Sequence, residues 1–375
     1  RRGQGMLSTK PVKALLPHWG IFVVRHREEL TNKRYCMISN FRLKFGRTPG
    51  AVTESIPTTP VTVFVGPNNS GKSKVLSEIE QYCRSGQKNA NSLILDDLTF
   101  SGLPEEKALE AIEHIRQQPN QGESVHVDHI FVGSRYGRQQ VHLANLTQFI
   151  QDPSSNLPAF CQWFLTHSTL ILDGRSRINL VNQQSAGDLQ QAPQSSFQVL
   201  FRDDNKRHEV RRIVSEAFGS YFVIDPTSLG QLRIRLSQRA PTNDLEERGI
   251  HAEAVKFHAN AQLIDNASDG VKAFTGIVTE VMAGDPRAIL IDEPEAFLHP
   301  SLASKLGYEV SRAALSADKR VFVSTHSPTF VMGCIQSGAP VNIIRLTYRD
   351  GVATSRVLPS GEILELMRNP TSPRN

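Results

Sequence analysis

Gly66-Pro67-Asn68-Asn69-Ser70-Gly71-Lys72-Ser73 has the residue types and the spacing, G-x-x-x-x-G-K-[ST], to wrap a chain of phosphates. Backbone N–H groups of Gly66, Asn68, Asn69, Ser70 and Gly71, with those of Lys72, Ser73 and Lys74 at a helix start, would face the anion. The helix dipole favours its negative charge. Lys72 would reach the β- and γ-phosphates, and the Ser73 hydroxyl would ligate Mg²⁺. Three further clusters can complete that chemistry. Asp292 and Glu293 follow the apolar run Ala288–Ile291. Asp292 suits the outer shell of Mg²⁺, and Glu293 suits a general base that polarises the attacking water. His326, after the apolar run Val321–Val323, can contact a γ-phosphate. Ser268 fits a helix N-cap, and Gly270 leaves room for a phosphate to approach closely.

These residues need a scaffold that brings distant segments to one edge. Val61–Val65 reads as a buried strand entering the loop, and the pattern from Lys74 onward reads as the helix leaving it. A second buried parallel strand, Ala288–Ile291, would deliver Asp292 to the C-terminal edge of a sheet, where α/β folds bind ligands. His326 lies one helix and one strand later, so a right-handed crossover should return it to the same edge. Alone, an acidic strand end reads equally well as a solvated turn. Beside a phosphate loop it reads as a site.

The order of loop, Ser-Gly segment, Asp-Glu strand and histidine resembles the ATP-binding-cassette superfamily. Glu295 followed by Leu298-His299-Pro300, the Gly66-Pro67-Asn68-Asn69-Ser70 loop and Ser324-Thr325-His326-Ser327-Pro328 resemble its OLD-like and RecF-like branch. The resemblance covers roughly residues 35–85 and 210–350. It implies an α/β P-loop NTPase head with a mixed central sheet flanked by helices. It further implies two heads paired head to tail around two ATP molecules, with Ser268 and Gly270 touching the partner head's γ-phosphate. Ala296 to Pro300 would cross that interface. Lys74 stands where many relatives have threonine, and Ala267 and Asp269 where transporter members prefer leucine and glycine.

The chain then divides into a first lobe (1–85), a long mixed α/β insertion (86–260) and a second lobe (261–375). Within the insertion, Glu105 to Gln117 carries a helical stripe, and Ile130–Val132 and Leu170–Leu172 read as buried strands. No sustained heptads argue for long coiled-coil arms. Leu170 to Arg177 can stand for a nucleotide-sensing loop or for a β-turn at Asp173-Gly174 with solvated arginines. His126-Val127-Asp128-His129 lacks a third ligand at metal-binding spacing and reads as structural. Ala14 to Val24 reads as an edge segment rather than a signal peptide.

A net charge of +5 leaves room for DNA without requiring it. The densest basic cluster, Lys206 to Arg212, gives on a helix either a stripe suited to phosphates or a solvated face, with Arg135 and Arg138 a weaker candidate for DNA. Four scattered cysteines form no C-x-x-C pair, and no apolar run is long enough to span a bilayer, so a cytoplasmic protein is expected. The residues after His326 hold few carboxylates (Asp350, Glu362, Glu365), too few for the Toprim nuclease of OLD-type relatives. A separate effector, a nuclease or toxin, is therefore expected, controlled by an ATPase of prokaryotic antiphage defence. The alternatives are a RecF-like repair ATPase that clamps DNA and a transporter's nucleotide-binding subunit.

Overall fold

Five apolar runs form one parallel sheet. The computed structural model describes residues 37–358 apart from 121, 135–136, 175–176, 191–192, 285 and 317–318. Its central strands are β1 (Val61–Val65), β2 (Thr169–Leu172), β3 (Ala288–Asp292), β4 (Arg320–Ser324) and β5 (Val341–Arg349), with β6 (Val352–Leu358) closing one edge. Their order is β6-β5-β1-β4-β3-β2, parallel throughout except for the β5–β6 hairpin. Each strand has apolar side chains on both faces, as a parallel sheet covered on both sides requires. Val61, Val63, Leu172, Ile289, Ile291, Val321 and Val323 face one core, while Phe64, Leu290, Phe322 and Ile344 face the other.

Helices α2 (Asp204–Phe218), α3 (Asp269–Ala283), α4 (Pro300–Ser316) and α5 (Pro328–Gln336) pack their apolar stripes into the first core. Helix α1 (Lys72–Ser85), which follows the phosphate loop, packs into the second core with Val75, Leu76 and Ile79. An antiparallel sheet of Ile38–Leu43, Ser55–Pro57 and Leu95–Phe100 covers that face, and Phe41 meets Phe64 and Phe322 edge-on at 6.0 and 6.2 Å. The fold is α/β with a mixed central sheet flanked by helices. The succession from α3 through β5 has the element order expected of residues 262–347. Ala14 to Val24, Arg135, Glu362 and Glu365 lie outside the described residues.

Residues 86–260 are woven into both faces. Leu95–Phe100 pairs with Ile38–Leu43, and β2 forms the sheet edge beside β3. The helix Glu105–Glu113 and the strand His129–Ser134 occur where expected. Among the described residues no helix is long and apolar enough to cross a membrane, and no group of three metal-ligating side chains occurs. His129 instead meets the rings of His126 and His142 edge to face.

The basic cluster of α2 departs from expectation. Arg207 is fully buried, donating to Glu247 at 3.1 Å and Asp204 at 2.7 Å, and Arg211 is held by Glu247 and the Phe222 carbonyl. Arg212 spans Glu209, Glu216 and Glu309, while Lys206 donates to the Ala283 carbonyl. The i,i+4 spacing that aligns Arg207 with Arg211 aligns them with Val210 and Val214, so this face turns inward. The cluster is neither a free phosphate-binding stripe nor a simply solvated face, because its arginines are engaged in an internal ion-pair network. Arg138 likewise pairs with Glu123 and lies over the Phe131 ring.

Glu247 neutralises two buried guanidiniums. Truncating it as Glu247→Ala should destabilise the fold by about 3 kcal/mol, because the cations stay buried without their carboxylate. Denaturant unfolding measures this, and a loss under about 1 kcal/mol would mean that the network relaxes to water.

Candidate functional site

The phosphate loop leaves β1 at Gly66 and enters α1 at Lys72. Gly71 turns the chain with φ +94°, and a Cβ there would sit 2.3 Å from the Ile94 side chain. No side chain caps α1, so its first N–H groups are left for an external acceptor. Pro67, Asn68 and Asn69 are exposed, while Ser70 and Lys72 are buried. The Lys72 ammonium donates to the Pro67 carbonyl at 3.0 Å, and among the described residues no carboxylate pairs with it. The Ser70 hydroxyl is buried without a partner. A buried cation and an orphaned hydroxyl lining one loop are what a bound phosphate would satisfy. Lys74 points along the helix toward Glu78, 3.9 Å away. Burial alone would push the Glu78 carboxyl up, but bonds from Leu95, Leu93, Ser92 and Ile94 hold it below the usual range. That carboxylate pins the segment against which Gly71 packs.

Asp292 ends β3 opposite Ser324 in the parallel register, and the Ser324 hydroxyl donates to its Oδ1. The same oxygen accepts from the Ser73 hydroxyl at 2.8 Å, across 219 residues of chain. A serine hydroxyl held against a carboxylate offers the hard oxygen donors that Mg²⁺ takes, with Ser73 as the ligand and Asp292 as its outer partner. The residues fit the ion.

Glu293 follows in a left-handed conformation, φ +48°, with its N–H donating to the Ser324 carbonyl at 2.8 Å. Its carboxylate lies 3.5 Å from His326 Nδ1. Glu295 Oε1 lies 3.3 Å from the same nitrogen and accepts the His326 backbone N–H at 3.0 Å, fixing ring and backbone together. Loop, Asp292, Glu293 and His326 thus gather at one sheet edge.

Ser268 occupies the N-cap position of α3 but its hydroxyl caps nothing and is exposed. The room beside Gly270 is filled within the chain, since a Cβ there would lie 2.6 Å from the Phe297 carbonyl oxygen. The Ser-Gly segment is therefore packed on the turn that follows Glu293.

Three residues at the site went unassigned in the sequence. Ser324 is signalled only by strand register. Glu295 is visible in the motif but not its hold on His326. Arg177 belongs to the turn after β2, where solvated arginines were one reading; it is instead 1% exposed and donates to the carbonyls of Asp292 and Glu293. Burial pulls its guanidinium below the usual range, against the carboxylates of Glu295, Asp292 and Glu293.

Residues 175–332 match the family model described as AAA domain, putative AbiEii toxin, Type IV TA system. No curated protein matches the chain. Among solved structures, the SMC head bound to the C-winged helix domain of ScpA is 14% identical, with 88% of this chain and 99% of that one covered at a TM-score of 0.50. Two further SMC heads match at lower similarity. The head domain from Thermotoga maritima has 14% identity, covering 86% and 99% at a TM-score of 0.42. The Pyrococcus furiosus head with an extended coiled coil, bound to the C-terminal domain of ScpA, has 13% identity, covering 90% and 100% at 0.47. The fold is that of an SMC-type ATPase head. Among the described residues the longest helix, α4, has 17 residues, so the head carries no long arm there.

Ser324→Ala removes one of the two hydroxyls that orient Asp292. Affinity for Mg²⁺ in nucleotide binding should fall roughly tenfold, as for other lost partners of a metal-ligating carboxylate. A magnesium titration checks this; an unchanged curve would make the Ser324 bond incidental.

Proposed function

We propose that this chain binds Mg-ATP and hydrolyses it. The observation that carries the reading is the 2.8 Å contact of Ser73 with Asp292, beside Glu293 and His326 and below an uncapped α1. Gly66, Asn68, Asn69, Ser70 and Gly71 would wrap the phosphates, and Lys72 would turn from the Pro67 carbonyl to the β- and γ-oxygens. Backbone N–H groups of Ser73 and Lys74 would add to the cradle. Ser73 and Asp292 would hold Mg²⁺, which when bound neutralises charge on the transferring phosphoryl group. Glu293 would take the proton of the attacking water, with His326 steadying the γ-phosphate.

The two heads would pair head to tail, each exposed Ser268 meeting the other head's γ-phosphate. Phe297, more than half exposed on the turn after Glu293, is placed to join that contact. In this reading the nucleotide cycle controls a separate effector protein, a nuclease or toxin, in cytoplasmic antiphage defence of the OLD-like kind. The toxin–antitoxin description of the matched family and the protein partner seated on the SMC head support it. A DNA clamp is less favoured, because the charge of Lys206 to Arg212 is spent internally.

The test is ATP binding and turnover of the purified chain. Lys72→Ala should lose nucleotide affinity by at least tenfold, and normal affinity would refute the loop assignment. Glu293→Gln should bind ATP, turn it over at background rate and accumulate as paired heads in size-exclusion light scattering. Wild-type turnover in that variant would remove Glu293 as base. Ser268→Arg introduced into it should leave the ATP-bound protein monomeric; persistent pairing would count against contact in trans.

A further inference from the structure

We infer that Arg177 is a positioning residue that holds the Glu293 peptide in the orientation hydrolysis needs. The inference rests on the ATPase reading of Glu293. With Arg207, Arg177 is one of the two arginines among the largest fully buried side chains of the described residues, and its terminal nitrogens donate to two consecutive carbonyls, those of Asp292 and Glu293. A guanidinium fork can hold two backbone acceptors in fixed relation, whereas an ammonium, a single point donor, cannot match that geometry. The peptide it grips is the one that needs holding. Glu293 is non-glycine at φ +48°, a conformation that costs free energy and persists only when its surroundings over-determine it. Released to an ordinary φ, the Glu293 carboxylate would swing away from His326.

The surroundings of Arg177 show that the grip has a cost. Its Nε is buried and has no hydrogen-bond partner. A cation placed for stability alone would sit on a carboxylate, as Arg207 and Arg211 do on Glu247. Arg177 faces Glu295, Asp292 and Glu293 as a group and makes its hydrogen bonds to main chain. Its own backbone is fixed from behind. A Cβ at Gly276 of α3 would lie 2.8 Å from Leu180 Cβ and 3.1 Å from the Arg177 carbonyl, so the glycine lets Arg177–Val181 seat directly on α3. The helix that begins at Ser268 therefore supports the arginine that holds Glu293.

The experiment compares Arg177→Lys and Arg177→Met with the wild-type chain by two readouts. The first is hydrogen–deuterium exchange of the nucleotide-free protein over residues 292–298, where Ala296 and Leu298 donate to the Glu293 and Glu295 carbonyls. The second is steady-state ATP turnover beside equilibrium binding of a fluorescent ATP analogue. Exchange at 292–298 should rise at least tenfold in both variants. The kcat should fall at least tenfold while nucleotide affinity stays within threefold. Unchanged exchange, unchanged kcat in Arg177→Lys, or affinity falling in step with kcat overturns the assignment. Should Arg177→Met fail to fold, Arg177→Lys keeps the stem and the charge and decides alone. A wild-type chain without turnover overturns the ATPase reading instead, and the exchange result then decides the grip on the turn by itself.

Discussion

The contact of Ser73 with Asp292 sets the demands on the rest of the structure. It joins a helix start to a strand end across 219 residues, and nothing local in the chain can enforce it. The sheet order enforces it. β4 lies between β1 and β3, so the loop after β1 and the carboxylate after β3 flank a strand that contributes its own hydroxyl, Ser324. With parallel register, Asp292 and Ser324 end level with one another, and Glu293 and His326 follow at the same height. The strand interiors are largely apolar on both faces, as a sheet covered on both sides requires, and Asp292 and Glu293 stand at its end.

Charge is handled in two ways. In the scaffold, cations sit on buried anions: the buried Arg207 and Arg211 on Glu247, the half-buried Arg233 and Arg235 on Asp225. Such pairs are costly to break and specify how α2 and the Tyr221–Ser237 hairpin dock. At the sheet edge the pattern reverses. Lys72 rests on a carbonyl, Ser70 has no partner, and one oxygen of Glu295 is buried without one. Lys72 and Ser70 line one loop, where the oxygens of a bound phosphate would satisfy both.

The loop, the strand that enters it, the Asp-Glu strand and the histidine were legible in the sequence because each is a contiguous pattern with its own periodicity or spacing. The β3–α4–β4 crossover followed from a general handedness rule. The partner of Arg207 was not legible. Glu247 lies 40 residues away, and a helical spacing of cations reads the same whether the face is solvated or buried. Arg177 failed for a related reason. A turn of Asp, Gly, Ser and Arg has the composition of a solvated loop, and only the pairing of β2 with β3 places it beside Asp292. Gly270 was read as room for a ligand, and the close approach of the Phe297 backbone to its Cβ position was not legible beside it. Composition reports what a residue can do, and the long-range contact decides which of those things it does.

The turn from Asp292 to Leu298 is where these long-range contacts converge. It contains two left-handed non-glycine residues, Glu293 and Phe297, each costing on the order of 1 kcal/mol. A relaxed turn would have been available with glycine at either place, but glycine at 293 would surrender the carboxylate. The strain is therefore the consequence of putting a carboxylate-bearing residue where the backbone favours glycine. Three contacts hold it: the Glu293 N–H on the Ser324 carbonyl, Arg177 on the carbonyls, and Gly270 against Phe297. They come from β4, from the turn after β2 and from the start of α3, which share no local sequence. A displacement of α3 would reach the turn from two sides, through Gly270 on Phe297 and through Gly276 on the segment carrying Arg177. The geometry of Glu293 is thus tied mechanically to the helix whose exposed first residues face outward.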